Sequence, residues 1–166
     1  MVLAELADRM SANFKSHKAN ATVAEGRSFP GGPRLILAKP NTFMNVSGGP
    51  VAALLRFYSI PVSRLIVVHD ELDIPFDTLK LKLGGGHGGH NGLRDIIAAT
   101  GTGDFIRLRV GVGRPPGRQD AADFVLRDFA STERPVLPSL LSDAADAVEL
   151  VAAEGLVAAQ QKVHSP

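Results

Sequence analysis

The 166-residue sequence has no cysteine, so it can hold no disulfide, no zinc–thiolate centre and no cysteine nucleophile. That usage fits a reducing cytoplasm. No apolar run approaches the roughly 20 residues that a membrane-spanning helix needs. The opening MVLAELADRM is amphipathic and interrupted by Glu5, Asp8 and Arg9, unlike the unbroken apolar stretch of an export signal. Internal repeats and low-complexity linkers are also missing. With 45% apolar residues the chain can bury one core and is short for two, so a single domain over residues 1–166 is expected.

Charge is nearly balanced overall, at +1, but unevenly spread. Residues 78–118 hold seven bases against two acids, whereas residues 119–166 hold three bases against eight acids. One region is therefore polarised toward anionic partners.

Val2, Leu3, Leu6, Ala7 and Met10 fall at helical spacing and predict a helix over residues 2–12. Thr22–Gly26 and Arg34–Ala38 look like the strands of a hairpin joined through SFPGGP. After Ser47, the run GGPVAALLRFY reads as a helix entered through a capped, proline-containing first turn. The apolar run Leu65–His69 predicts a central strand buried on both faces, with the acidic DELD at its C-terminal end. Thr78–Leu83 and Phe105–Val112 alternate, which gives each strand a basic face, Lys80 with Lys82 and Arg107 with Arg109. Between them GGGHGGHNG leads into a short helix, LRDIIAAT, with Asn91 at its start as a cap. AADFVLRDF predicts another short helix, and STERPVLPSLLSDAADAVELVAAEG a long one with an acidic outer face; a last helix follows Gly155. This mixture predicts a three-layer α/β/α sandwich around a twisted mixed sheet.

Several residues could carry chemistry. Asp70 ends a strand, where open α/β sheets bind ligands; it could equally be a solvated turn residue, like Glu71 and Asp73. His69 is adjacent but points to the opposite face of the strand, so Asp70 would need a histidine from elsewhere. The glycine loop exposes backbone N–H groups to a ligand or is simply mobile. It has neither the ending of a P-loop nor the context of a dinucleotide fingerprint. His87, His90 and the DELD acids could be assembled into a metal site, although two histidines on a glycine loop have no fixed geometry. Four bases alternating on strands beside that loop favour phosphate contact over a merely solvated face. Asn45 could cap a helix or donate its amide to a carbonyl or developing oxyanion.

The segments KPNTFMNVSG, VVHDELD, KLKLGGGHGGHNGLRDI, FIRLRVGVGRPPG and FVLRDF occur in the order and spacing of bacterial peptidyl-tRNA hydrolases, which the chain resembles from about Met1 onward. The resemblance implies a monomeric cytoplasmic enzyme without metal or cofactor. It would cleave the ester between a peptide and the 3′ end of tRNA, recycling tRNA from abandoned translation. It also implies that Asp70 orients a catalytic histidine and supports its basic form. Asn45 and Asn91 would hold the peptidyl-tRNA end and the attacking water, with Phe43 and Met44 lining the cleft. His90 would contact substrate from the loop, and Lys82 and Arg109 would clamp a tRNA phosphate.

The family opens with a strand, a GLGNPG-like turn and a T-R-H-N-like segment bearing that histidine. None of these is in the 166 residues, where they would precede Met1. The expectation is thus an N-terminally truncated domain lacking its first strand, inactive or weakly active, because losing a positioned general base costs about 10² to 10⁴-fold in rate. The alternative from another class is a non-catalytic tRNA- or ribosome-binding protein using the same basic platform.

Overall fold

A computed structural model describes residues 2–27, 30–41, 47–71, 74–75, 78–85, 91–111 and 137–163. For Asp70, Asn91 and residues 137–139 the backbone alone is described. The order of elements is α1 (Val2–Arg9), β1 (Lys15–His17), β2 (Ala21–Arg27), β3 (Arg34–Pro40) and α2 (Gly48–Phe57). A 3₁₀ turn at Val62–Arg64 leads to β4 (Ile66–Glu71), β5 (Leu79–Leu83), α3 (Asn91–Thr100), β6 (Ile106–Gly111), α4 (Leu137–Glu154) and α5 (Leu156–Val163). The described strands form two three-stranded ladders, β1-β2-β3 and β4-β6-β5. The chain divides into two compact units, one of Leu3–Ile66 with Leu83–Ile106, the other of Met1–Val2, Val67–Lys82 and Arg107–Pro166.

In the first of these units, β2 and β3 are the expected hairpin, antiparallel from Ala21 opposite Pro40 to Arg27 opposite Arg34. Their inward residues Ala21 and Val23 bury against Leu54 of α2, with Ile36, Ala38 and Tyr58 packed around them. β1 joins the other edge of β2 through the turn Lys18–Asn20, in which Asn20 takes a left-handed φ of 60°. The expected helix at the start is α1; Leu6 and Ala7 bury its apolar stripe and Glu5 pairs with Arg9 one turn on at 3.2 Å.

In the second ladder, β6 is the middle strand and β5 lies beside it. Gly84 N–H donates to Phe105 O at 3.0 Å and Gly111 N–H to Thr78 O at 2.8 Å, which sets β5 antiparallel to β6. In that register Lys80 stands opposite Arg109, Lys82 opposite Arg107, and Leu81 opposite Leu108. Leu81 and Leu108 are fully buried on the apolar face. The register also turns the Leu81 carbonyl away from β6, and there the Gln160 amide of α5 donates to it at 3.1 Å. The acidic outer face expected of the long helix is seen in α4, where Asp143 and Asp146 are exposed while Ala144, Ala145, Ala147 and Val148 are buried.

Three details depart from the sequence expectations. β4 is an outer strand of its ladder among the described residues, and Ile66, Val67 and Val68 are only partly buried. An apolar run reports hydrophobicity and does not report how many neighbours a strand has. Arg107 lies in the buried stretch Ile106–Leu108 and is 3% exposed, so β6 has no open basic face at that position. Alternation gives the direction of a side chain, whereas its exposure depends on what covers that side. Ser47 makes no side-chain cap to α2: its own backbone is helical, with φ −72° and ψ −18°, and Pro50 at the third helical position has no N–H to offer.

Candidate functional site

The two asparagine-bearing motifs end in helices that are fastened together. Gly48, the first residue of α2, donates its backbone N–H to Asp95 Oδ2 in the second turn of α3 at 2.6 Å. A side chain at Gly48 would overlap the Asp95 backbone carbonyl and stand 2.8 Å from its Oδ2, so glycine is what allows the two backbones to approach. Asn45 is three residues before Gly48 in sequence, and Asn91 is four residues before Asp95, on the same face of α3. Asn91 is the first residue of α3 and not a separate cap before it, a difference of one position at a helix end.

Asp70 occupies the penultimate position of β4, with Glu71 after it, as the strand-end reading required. His69 is buried, in keeping with an apolar strand that ends in acids. Next to β4 in the ladder, the register of β5 and β6 gathers Lys80, Lys82, Arg107 and Arg109 on one face. Lys80 and Lys82 are exposed and Arg109 is partly buried. Burial first, and then the charge of Arg109, hold the Arg107 guanidinium below its ordinary range. The Arg109 Nε is buried and meets no hydrogen-bond partner among the described residues. Lys80, Lys82 and Arg109 so placed repel one another, and a carboxylate or phosphate would relieve that repulsion.

Of the residues singled out in the sequence, the structure thus places Asp70, Asn91, Lys82 and Arg109. Phe43, Met44, Asn45 and His90 lie outside the described residues, as do His87 and the FVLRDF segment. Among the described residues no three histidine, aspartate or glutamate side chains cluster in a way that could hold a metal ion, and no helix is long and apolar enough to cross a membrane. Sequence reasoning missed Asp95 altogether. The only signal for it was its spacing of four from Asn91, which is commonplace on a helix.

Comparison with known proteins accounts for this combination. A family model described as peptidyl-tRNA hydrolase matches residues 1–166. The peptidyl-tRNA hydrolase of Leifsonia xyli is 70% identical over 99% of this chain and 86% of its own length. That of an Arthrobacter species is 66% identical over 99% and 85%. Among solved structures, the peptidyl-tRNA hydrolase of Acinetobacter baumannii superposes with a TM-score of 0.89 at 32% identity, covering 99% of this chain and 83% of that one. The mixed α/β class expected from the sequence is that of these structures. The comparisons give no support to a lost catalytic segment, to an inactive chain, or to the non-catalytic binding alternative. A strand-end aspartate, a start of α2 fastened to the second turn of α3 and a basic strand face all fall within a match that runs the length of the sequence, and the chain belongs to the peptidyl-tRNA hydrolase family.

Proposed function

We infer that this chain hydrolyses the ester between a peptide and the 3′-terminal ribose of tRNA, freeing tRNA from abandoned translation, as a cytoplasmic monomer without metal or cofactor. Family membership supports the reaction. The structural observation that carries the substrate class is the basic face that Lys80, Lys82 and Arg109 form on β5 and β6. An ester on a short acyl substrate needs no such face, whereas a polyanion does.

The reaction is attack of water on the ester carbonyl with a histidine as general base. Asp70 orients that histidine through its ring N–H and stabilises the imidazolium formed when the water loses its proton. Asn45 and Asn91 hold the ester end and the water. Their amides donate to the carbonyl oxygen as it becomes an oxyanion, with no charge of their own to neutralise. Phe43 and Met44 offer apolar surface to the aminoacyl side chain, His90 contacts substrate from the glycine loop, and Lys82 and Arg109 grip a phosphate. After collapse of the tetrahedral intermediate the 3′ oxygen takes a proton and leaves as the tRNA hydroxyl.

The test is hydrolysis of a peptidyl-tRNA by this chain and by its Asp70→Asn variant. A loss of about 10² to 10⁴-fold in kcat is expected for the substitution. Alanine at each of His17, His69, His87, His90 and His164 then locates the base. One variant matching the Asp70→Asn loss places it among these five, and none matching places it outside them. Asp70→Asn with an undiminished rate would sink the assignment of Asp70.

A further inference from the structure

We propose that Phe57, His17 and Lys18 form a second contact for the substrate's tRNA, a platform on which an unpaired base stacks while Lys15 and Lys18 meet the adjoining phosphates. The proposal rests on the reading of the substrate as peptidyl-tRNA.

Of the large apolar residues exposed among the described ones, Phe57, Leu83 and Val157, Phe57 alone is aromatic, with 52% of its surface open. It is the last residue of α2, and its ring is held in place. His17 meets it edge to face with centroids 4.6 Å apart, and Tyr58 does the same from the next position at 4.9 Å. Each of these two rings is anchored in turn. The His17 Nδ1 accepts the Ala19 N–H at 3.0 Å, and the Tyr58 hydroxyl donates to Glu25. Lys18 places its ammonium 5.0 Å from the Phe57 centroid. Its flexible stem lets that charge swing to a phosphate as a base takes its place on the ring.

Charge around the platform has one sign. Residues 11–24 contain no acid, and Lys15 shares a face of β1 with His17 two residues on. Lys15 and Lys18 are exposed, and neither has an ion-pair partner among the described residues. Glu25, the first acid that follows, is engaged by Arg34 at 3.1 Å as well as by Tyr58. An accessible π face beside unneutralised ammonium groups is what unpaired nucleic acid requires: the base stacks on the ring and the backbone meets the lysines. A protein segment docking here would have to supply acids for both lysines together with an apolar side chain, whereas every RNA nucleotide carries a flat ring and a charge. Such a contact is indifferent to base identity, which suits an enzyme that meets tRNAs of every sequence.

Binding of a fluorescent deacylated tRNA is followed by anisotropy across a salt series, and kcat/KM is compared for peptidyl-tRNA and for a peptidyl ester of adenosine, which has no second nucleotide to offer. Phe57→Leu keeps apolar bulk and loses the stacking face. It is expected to weaken tRNA binding about five- to hundredfold with an unchanged salt slope, and to lower kcat/KM for peptidyl-tRNA relative to the adenosine ester. Phe57→Trp restores both. Lys18→Ala lowers the slope of log affinity against log salt by about 0.7. Phe57→Leu with the tRNA affinity of the unaltered chain overturns the proposal, as does an equal loss on both esters, which reports a disturbed fold. A dimer that Phe57→Leu abolishes, with tRNA affinity intact, assigns the ring to a second copy of the chain and overturns it too. If Phe57→Leu does not fold, a chain carrying Lys15→Ala and Lys18→Ala whose salt slope is unchanged overturns it. If the unaltered chain binds tRNA through Phe57 and cleaves neither ester, the hydrolytic reading fails while the contact stands.

Discussion

Replacing Lys82 by alanine separates what the basic face does for the fold from what it does for the substrate. The register sets Lys82 opposite Arg107, at the roughly 5.5 Å Cα spacing of a hydrogen-bonded antiparallel pair. Its ammonium is exposed, so its repulsion with Arg107 at about 7 Å is near 0.5 kcal/mol in water, and about half that once salt screens it. Alanine relieves this repulsion but loses the stem and some strand propensity, and stability should change by no more than about 0.5 kcal/mol in either direction. Binding should respond quite differently. One lost phosphate contact lowers the slope of log affinity against log salt by about 0.8 and weakens binding about fivefold at 0.15 M salt and about tenfold at 0.05 M. The assay is KM for peptidyl-tRNA across a salt series, with thermal melting alongside. Lys162, exposed on α5 and paired with Glu154, gives the control, Lys162→Ala, whose slope should equal that of the unaltered chain. A Lys82→Ala slope identical to the control would mean that this face is only a solvated strand, and the phosphate assignment would be lost.

Two further outcomes follow from contacts away from that face. Burial first, and then a hydrogen bond donated to Glu25, push the Tyr58 hydroxyl up to about 12 from the ordinary 10. A group whose folded value is raised gives stability that is present below pH 10 and lost as the pH climbs toward 12. Tyr58→Phe should therefore cost about 1 kcal/mol at neutral pH, with the difference from the unaltered chain shrinking through that window in pH-dependent melts. The same hydrogen bond, ahead of Arg34, holds the Glu25 carboxyl below its usual range, so this contribution should also fade as the pH falls through the carboxylate region. A Tyr58→Phe difference constant from pH 4 to 12 would refute the coupling. At the end of β6, alanine at Gly111 would bring its Cβ to 2.7 Å from Ile74 Cγ2 and 2.9 Å from Ile74 O. Denaturant unfolding should show a loss of about 2 kcal/mol or more, and an unchanged midpoint would mean that the Ile74–Pro75 segment yields freely.

The parts of the fold that were legible in the sequence are those in which one residue's neighbours along the chain decide its environment. Helical spacing located α1, α2 and the tail helices, and two short apolar runs around SFPGGP located the hairpin. β1 escaped because Lys-Ser-His is three residues long, polar and mostly exposed, and only its pairing with Val23, Thr22 and Ala21 makes it a strand. Arg107 was misread for a related reason, since nothing in FIRLRVG says what covers that side of the strand. In the candidate site, Asp70 at the strand end could be read because an apolar run followed by DELD leaves few other places for it. Asp95 could not, because its partner is 47 positions away and is a backbone N–H, which no pattern of side chains records.

The hydrogen bond from Gln160 to the outer carbonyl of β5 has a consequence in time. The two residues are 79 positions apart, so at a synthesis rate of about 5 to 20 residues per second the strand edge waits roughly 4 to 16 seconds for its cover. Through that interval an uncovered edge is a template for pairing with other nascent chains. What stands guard on it is the same pair of exposed lysines, Lys80 and Lys82, whose charges oppose the approach of a second copy of this strand. Residues suited to gripping a nucleic acid in the finished protein are thus also suited to keeping the unfinished one single, and exchanging both for apolar strand formers should be felt first as poor yield and aggregation during expression.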